Sequence, residues 1–147
     1  IVVALLAAGL PARAEKRLAL VIGNDLYQNV PALSKAVTDG NAVASALRKL
    51  DFTVTVFENQ SRQAMSQALL TFDSKIEQGD TVFFFYAGHG FEIHGRNYLL
   101  GQGKRAPMDR CYSTVEDRSN ANFLWFIKFE RNFQEKEMQM LQESVKT

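Results

Sequence analysis

Cysteine is almost absent from this chain: Cys111 is the single one in 147 residues. That excludes a disulfide framework and a multi-cysteine zinc site, and it leaves one thiol that is either an inert residue or a nucleophile. An excess of charge of one sign is lacking too. Seventeen basic side chains stand against 16 acidic ones, for a formal net charge of +1. No basic stripe runs along the chain, so no nucleic-acid partner is expected. No apolar run reaches the roughly 20 residues that a membrane span needs. What is present is an ordinary globular composition, 46% hydrophobic and 22% charged. The length suits one domain with its own core and is short for two.

The first residues, Ile1 to Leu10, are apolar, and Pro11-Ala12-Arg13-Ala14 follows them. A short apolar run closed by a small-x-small pattern is the end of a secretory signal peptide. With no initiator Met and no basic segment before it, residues 1–14 read as a partial signal peptide. Cleavage is expected after Ala14, with export to a bacterial periplasm and no membrane span in the mature chain. A buried first strand or helix is the alternative.

Leu18 to Gly23 form a continuous apolar run ending at glycine, as in a strand buried on both faces. Asn24 to Thr38 reads as a loop. Asp39 can cap a helix on which Val43, Ala46, Leu47 and Leu50 repeat at helical spacing. Phe52 to Phe57 is rich in β-branched and aromatic residues and predicts a second strand. Ser61 can cap a second helix whose apolar face is Met65, Ala68, Leu69, Phe72 and Ile76, stopped at Gly79-Asp80. Thr81 to Tyr86 is a third buried strand. Phe91-Glu92-Ile93 and Arg96 to Leu100, around His94-Gly95, predict a hairpin. After Gly101 the character changes. Phe123 to Ile127 is an apolar cluster, and residues 130–147 carry a weak helical pattern.

Strand, helix, strand, helix, strand predicts an α/β fold, a parallel sheet with helices on both faces. Ligands in such sheets bind beyond the carboxyl ends of the strands. His89 sits there, directly after the third strand and between Gly88 and Gly90. The flanking glycines let the chain turn sharply and leave the imidazole unobstructed for proton transfer. The Gly90 N–H can face a developing oxyanion.

Tyr86-Ala87-Gly88-His89-Gly90 resembles the histidine motif of the caspase, metacaspase and bacterial orthocaspase group. Three further pieces fit in order: Leu18 to Asn24 with Tyr27 and Pro31-Ala32-Leu33; Thr38-Asp39-Gly40-Asn41-Ala42 opening a helix; and Asn97-Tyr98-Leu99-Leu100. The resemblance covers residues 17 to 100. It implies a caspase-like, Rossmann-like three-layer fold and a cysteine endopeptidase acting on protein or peptide substrates without a cofactor. Carried over, His89 is the catalytic histidine, Gly90 an oxyanion donor, and Asp39 a residue lining a pocket for a basic side chain before the scissile bond.

The departures concern the nucleophile. In caspases it lies about 50 residues after the histidine, and the wider family sets it at the end of another apolar strand. Here 111 − 89 leaves only 22 residues, and Met108-Asp109-Arg110 before Cys111 is no apolar strand. Cys111 is therefore a weak candidate. The family pattern stops after Leu100, so the sequence divides into a caspase-like part over 15–100, incomplete as a sheet, and a divergent tail over 101–147 such as a frameshift produces. Three readings follow: a cysteine endopeptidase lacking its nucleophile, and so inactive; a non-catalytic caspase-like binding module in the periplasm; or a fragment whose phenylalanine-rich third strand has an open edge. Gly103-Lys104 is not a phosphate loop, because Tyr98 and Arg105 stand where that motif needs glycine and Ser or Thr. His89 and His94 have no third metal ligand at convincing spacing.

Overall fold

The computed structural model describes residues 14–28, 30–93, 96–103, 111–113 and 122–129. The leader-like residues 1–13, the His94-Gly95 turn and the helical pattern of 130–147 lie outside them. A sheet of four parallel strands forms the centre: β1 (Arg17–Gly23), β2 (Thr53–Glu58), β3 (Thr81–Gly88) and β7 (Asn122–Phe129), in the order β2-β1-β3-β7. A second, antiparallel sheet has the order β4-β5-β6, from β4 (Gly90–Ile93), β5 (Arg96–Leu100) and β6 (Cys111–Ser113). The predicted hairpin is the β4–β5 pair.

Side-chain alternation along the strands builds the three layers. Leu18, Leu20 and Ile22 of β1, with Val82, Phe84 and Tyr86 of β3, pack on Met65, Leu69 and Phe72 of helix α2 (Arg62–Asp73). Ala19 and Val21, with Phe85 and Ala87, pack on Ala36, Ala44 and Leu47 of helix α1 (Ala36–Lys49). The small residues of the second set let α1 approach closely. A Cβ on Gly23 would lie 2.8 Å from the Ala36 carbonyl oxygen, so the first turn of α1 rests against the carboxyl end of β1.

Three expectations shift. α1 starts at Ala36, ahead of Asp39, and its buried side is Ala36, Gly40, Ala44 and Leu47, while Ala46 and Leu50 are exposed. Packing against a flat sheet rewards the small residues, which the apolar pattern underweights. α2 keeps its predicted cap, with Ser61 Oγ accepting from the Ala64 N–H at 3.2 Å, but it ends at Asp73 rather than at Gly79-Asp80. Asp80 instead is buried and accepts from the N–H groups of Lys16 (3.1 Å) and Glu77 (2.9 Å), with Lys16 Nζ at 3.5 Å. Finally, the outer edge of β3 is not open. Asn122 to Phe129, read in the sequence as an apolar cluster, pairs with it in parallel from Thr81↔Asn122 to Gly88↔Phe129.

Candidate active site

Parallel strands deliver their carboxyl ends to one edge, and the polar residues that follow them meet there. Asn24 follows β1 and is fully buried. Its Oδ1 accepts the Gln60 N–H at 2.8 Å, and its Nδ2 donates to the carbonyls of Leu100 (3.3 Å) and Gln60 (3.4 Å). One amide thus ties the ends of β1, β2 and β5. Asn59, in a left-handed conformation at φ 52°, turns its Oδ1 to the N–H groups of Asp25 (2.9 Å) and Leu26 (3.0 Å).

His89 leaves β3 and is also fully buried. Its ring reaches the loop after β1, where Nε2 lies 2.8 Å from the Pro31 carbonyl. A carbonyl only accepts, so Nε2 carries the proton and, in the neutral ring, the lone pair sits on Nδ1. The Tyr27 ring packs against the imidazole, centroids 4.7 Å apart at 59°. Tyr27 Oη accepts the His89 N–H at 3.0 Å.

Behind the histidine lies Tyr86. Its Oη is 2.8 Å from both the His89 and the Leu100 carbonyls and 3.3 Å from Tyr27 Oη. Burial, and then the neighbouring Tyr27 phenol, push its pKa well above the usual tyrosine value. The two hydroxyls explain the glycine before the histidine. At φ 157°, a Cβ on Gly88 would lie 2.5 Å from Tyr86 Oη and 2.6 Å from Tyr27 Oη.

Gly90 begins β4 and pairs with Leu99. The Leu100 N–H donates to the His89 carbonyl at 3.0 Å. In an antiparallel ladder that bond makes Gly90–Leu99 a non-hydrogen-bonded pair, so β5 does not take the Gly90 N–H. Asp39 lies in the first turn of α1 and is half-buried, with its own N–H donating to the Lys35 carbonyl at 2.7 Å. The cap it was expected to provide comes from Asp25, whose Oδ1 and Oδ2 accept from the N–H groups of Ala36 (2.7 Å) and Val37 (3.1 Å). Cys111 opens β6 and pairs with Leu100, so β5 stands between it and His89. β7, the strand beside β3, contains no cysteine.

The sequence alone singles out His89, Gly90 and Asp39, yet assigns no role to Asn24, Asp25 or Tyr86. Apart from the His89 carbonyl, three residues after Tyr86, the partners of these side chains lie 11 to 76 residues away in the chain, beyond any local pattern. Among the described residues no three His, Cys, Asp or Glu side chains group to hold a metal ion, and no helix is long and apolar enough to cross a membrane.

The family model of the caspase domain matches residues 16–147. The chain is also similar to mucosa-associated lymphoid tissue lymphoma translocation protein 1 of Homo sapiens and to its homolog in Mus musculus. Each is 31% identical over 87 residues, which is 59% of this chain. The chain spans only 11% and 10% of those two proteins.

Proposed function

This chain belongs to the caspase-domain family, and from that membership we propose that it is a cysteine-endopeptidase-type domain whose acid–base half is His89 and whose nucleophile is missing. The family acts on protein substrates. In the reaction such a site serves, a thiolate attacks the peptide carbonyl and an acyl-enzyme forms as the amine leaves. The His89 imidazole is the group proposed to move the proton from thiol to leaving amine, with its Nε2–H directed at the Pro31 carbonyl. The Gly90 N–H, outside the β5 ladder, is the donor for the oxyanion. Asp39 is the residue proposed to favour a basic side chain before the scissile bond.

The observation that carries this reading is the buried His89 on the carboxyl edge, fixed by Pro31 and Tyr27. What argues against turnover is the neighbouring strand. β7 ends beside Gly88 without a cysteine, and Cys111 lies on the short β6, across β5. The expected result is no hydrolysis of Arg- or Lys-coupled fluorogenic peptides. Turnover that His89→Ala abolishes would show a complete catalytic centre and overturn the proposal.

The same lack of a cysteine on β7 favours a second reading, a non-catalytic caspase-like module that binds a partner through this edge. Saturable binding of a basic peptide without cleavage, weakened by Asp39→Ala, supports it. Absence of any such binding counts against it.

A further inference from the structure

We propose that Asp25 is a positioning residue for His89, acting through the loop that joins β1 to α1. This deepens the reading of His89 as the acid–base group and rests on it. The loop that joins β1 to α1 supplies two contacts that orient the histidine: the Pro31 carbonyl at Nε2 and Tyr27 at the backbone N–H and ring face. Proline carries no N–H with which to anchor itself. The loop therefore has to be held from elsewhere.

Asp25 holds it at several points. Its main-chain N–H is bound by Asn59 Oδ1 at 2.9 Å, and its carbonyl accepts the Leu33 N–H at 2.8 Å, two residues beyond Pro31. Its carboxylate then takes the first two N–H groups of α1. Lys35, at the cap position, gives no side-chain cap of its own. Carboxylate acceptors are favoured at a helix N-terminus both by the unpaired N–H groups and by the dipole. The side chain thus closes the loop onto α1 with Pro31 inside it. An ordinary cap would sit next to its helix; this one reaches across 11 and 12 residues. What that reach achieves is a fixed position for the Pro31 carbonyl, and with it the placement of the proton on Nε2 of His89.

The readout is the Nε2 proton of His89. The chain has two histidines, so a His94→Gln background leaves one imidazole to assign by nuclear magnetic resonance. A buried, hydrogen-bonded Nε2–H exchanges slowly with water. Asp25→Ala is expected to speed that exchange at least tenfold while the amides of β1 and β3 stay protected. Asp25→Asn, which keeps one acceptor oxygen, is expected to fall between. Leu47→Ala loosens α1 from its far end, and as the control it should leave the exchange within twofold. Unchanged exchange in Asp25→Ala overturns the proposal, as does equal acceleration in Leu47→Ala at a matched fall in Tm. If Asp25→Ala does not fold, Asp25→Asn against Leu47→Ala decides in the same way. The measurement needs neither substrate nor nucleophile. Absence of turnover therefore bears on the peptidase reading alone, and the exchange rate on the positioning alone.

Discussion

At the scale of single residues, the site is a buried polar cluster in which each group has a partner. Tyr86 makes this concrete. Its hydroxyl has one proton to offer and two carbonyls within 2.8 Å. Each of those carbonyls keeps another donor, Leu100 N–H for His89 and Asn24 Nδ2 for Leu100. Tyr86→Phe should therefore cost only about 1 kcal/mol at neutral pH, the net worth of one hydrogen bond, rather than the larger cost of an orphaned group. The pH dependence has a definite sign. The unfolded chain releases the tyrosine proton near the ordinary value of about 10, whereas the folded chain holds it to higher pH. Between those two points the native state binds more protons, so stability falls as pH rises. The stability gap between the wild type and Tyr86→Phe, measured by urea unfolding, should be constant below pH 10 and narrow above it. A gap that stays constant through pH 11 would contradict the burial argument.

His89 was legible at this scale because its signal is local: a histidine between glycines after an apolar strand. The reason for Gly88 was not. Sequence suggests that glycine frees the turn, and the structure adds that two hydroxyls occupy the space a Cβ would take. Asp25 carries no such local signal, because a cap is expected beside its helix, where Asp39 stands. Only the folded loop brings Asp25 to Ala36 and Val37.

At the scale of elements, the strands with the strongest apolar runs and the helix with an ordinary face, α2, follow from pattern. Ser61, Met65, Ala68, Leu69 and Phe72 have the roles their spacing predicts. α1 is less legible because Gly40 and Ala44, which face the sheet, carry little hydropathy, while the exposed Leu50 carries much. β7 reads in the sequence only as an apolar cluster, because nothing local shows the edge of β3 that it pairs with. Its backbone pairs along the whole of β3, which covers an edge that would otherwise offer unpaired N–H and C=O groups to another chain. A chain ending at Ser113 should therefore associate far more readily than the full chain. Static light scattering at matched concentration checks this, and equal scattering from both would contradict the role given to β7.

At the scale of the whole molecule, the order β2-β1-β3-β7 with α1 and α2 on opposite faces is a caspase-like architecture, and the carboxyl edge of its sheet gathers His89, Gly90 and the loop from Asn24. Export remains a proposal supported by the apolar start and by Pro11-Ala12-Arg13-Ala14. Expressed behind an initiator Met and a short basic segment in a Gram-negative host, the chain should be recovered from the periplasm with Glu15 at its N-terminus. Recovery of an uncleaved cytoplasmic chain would contradict that. The central claim is that the fold carries the histidine half of a cysteine-peptidase centre without its nucleophile. An Arg-directed peptidyl acyloxymethyl ketone, which alkylates only a thiolate held in a working site, tests it most directly. Intact-mass measurement after incubation should show the unmodified chain, whereas a single adduct on Cys111 that disappears in His89→Ala would contradict the claim.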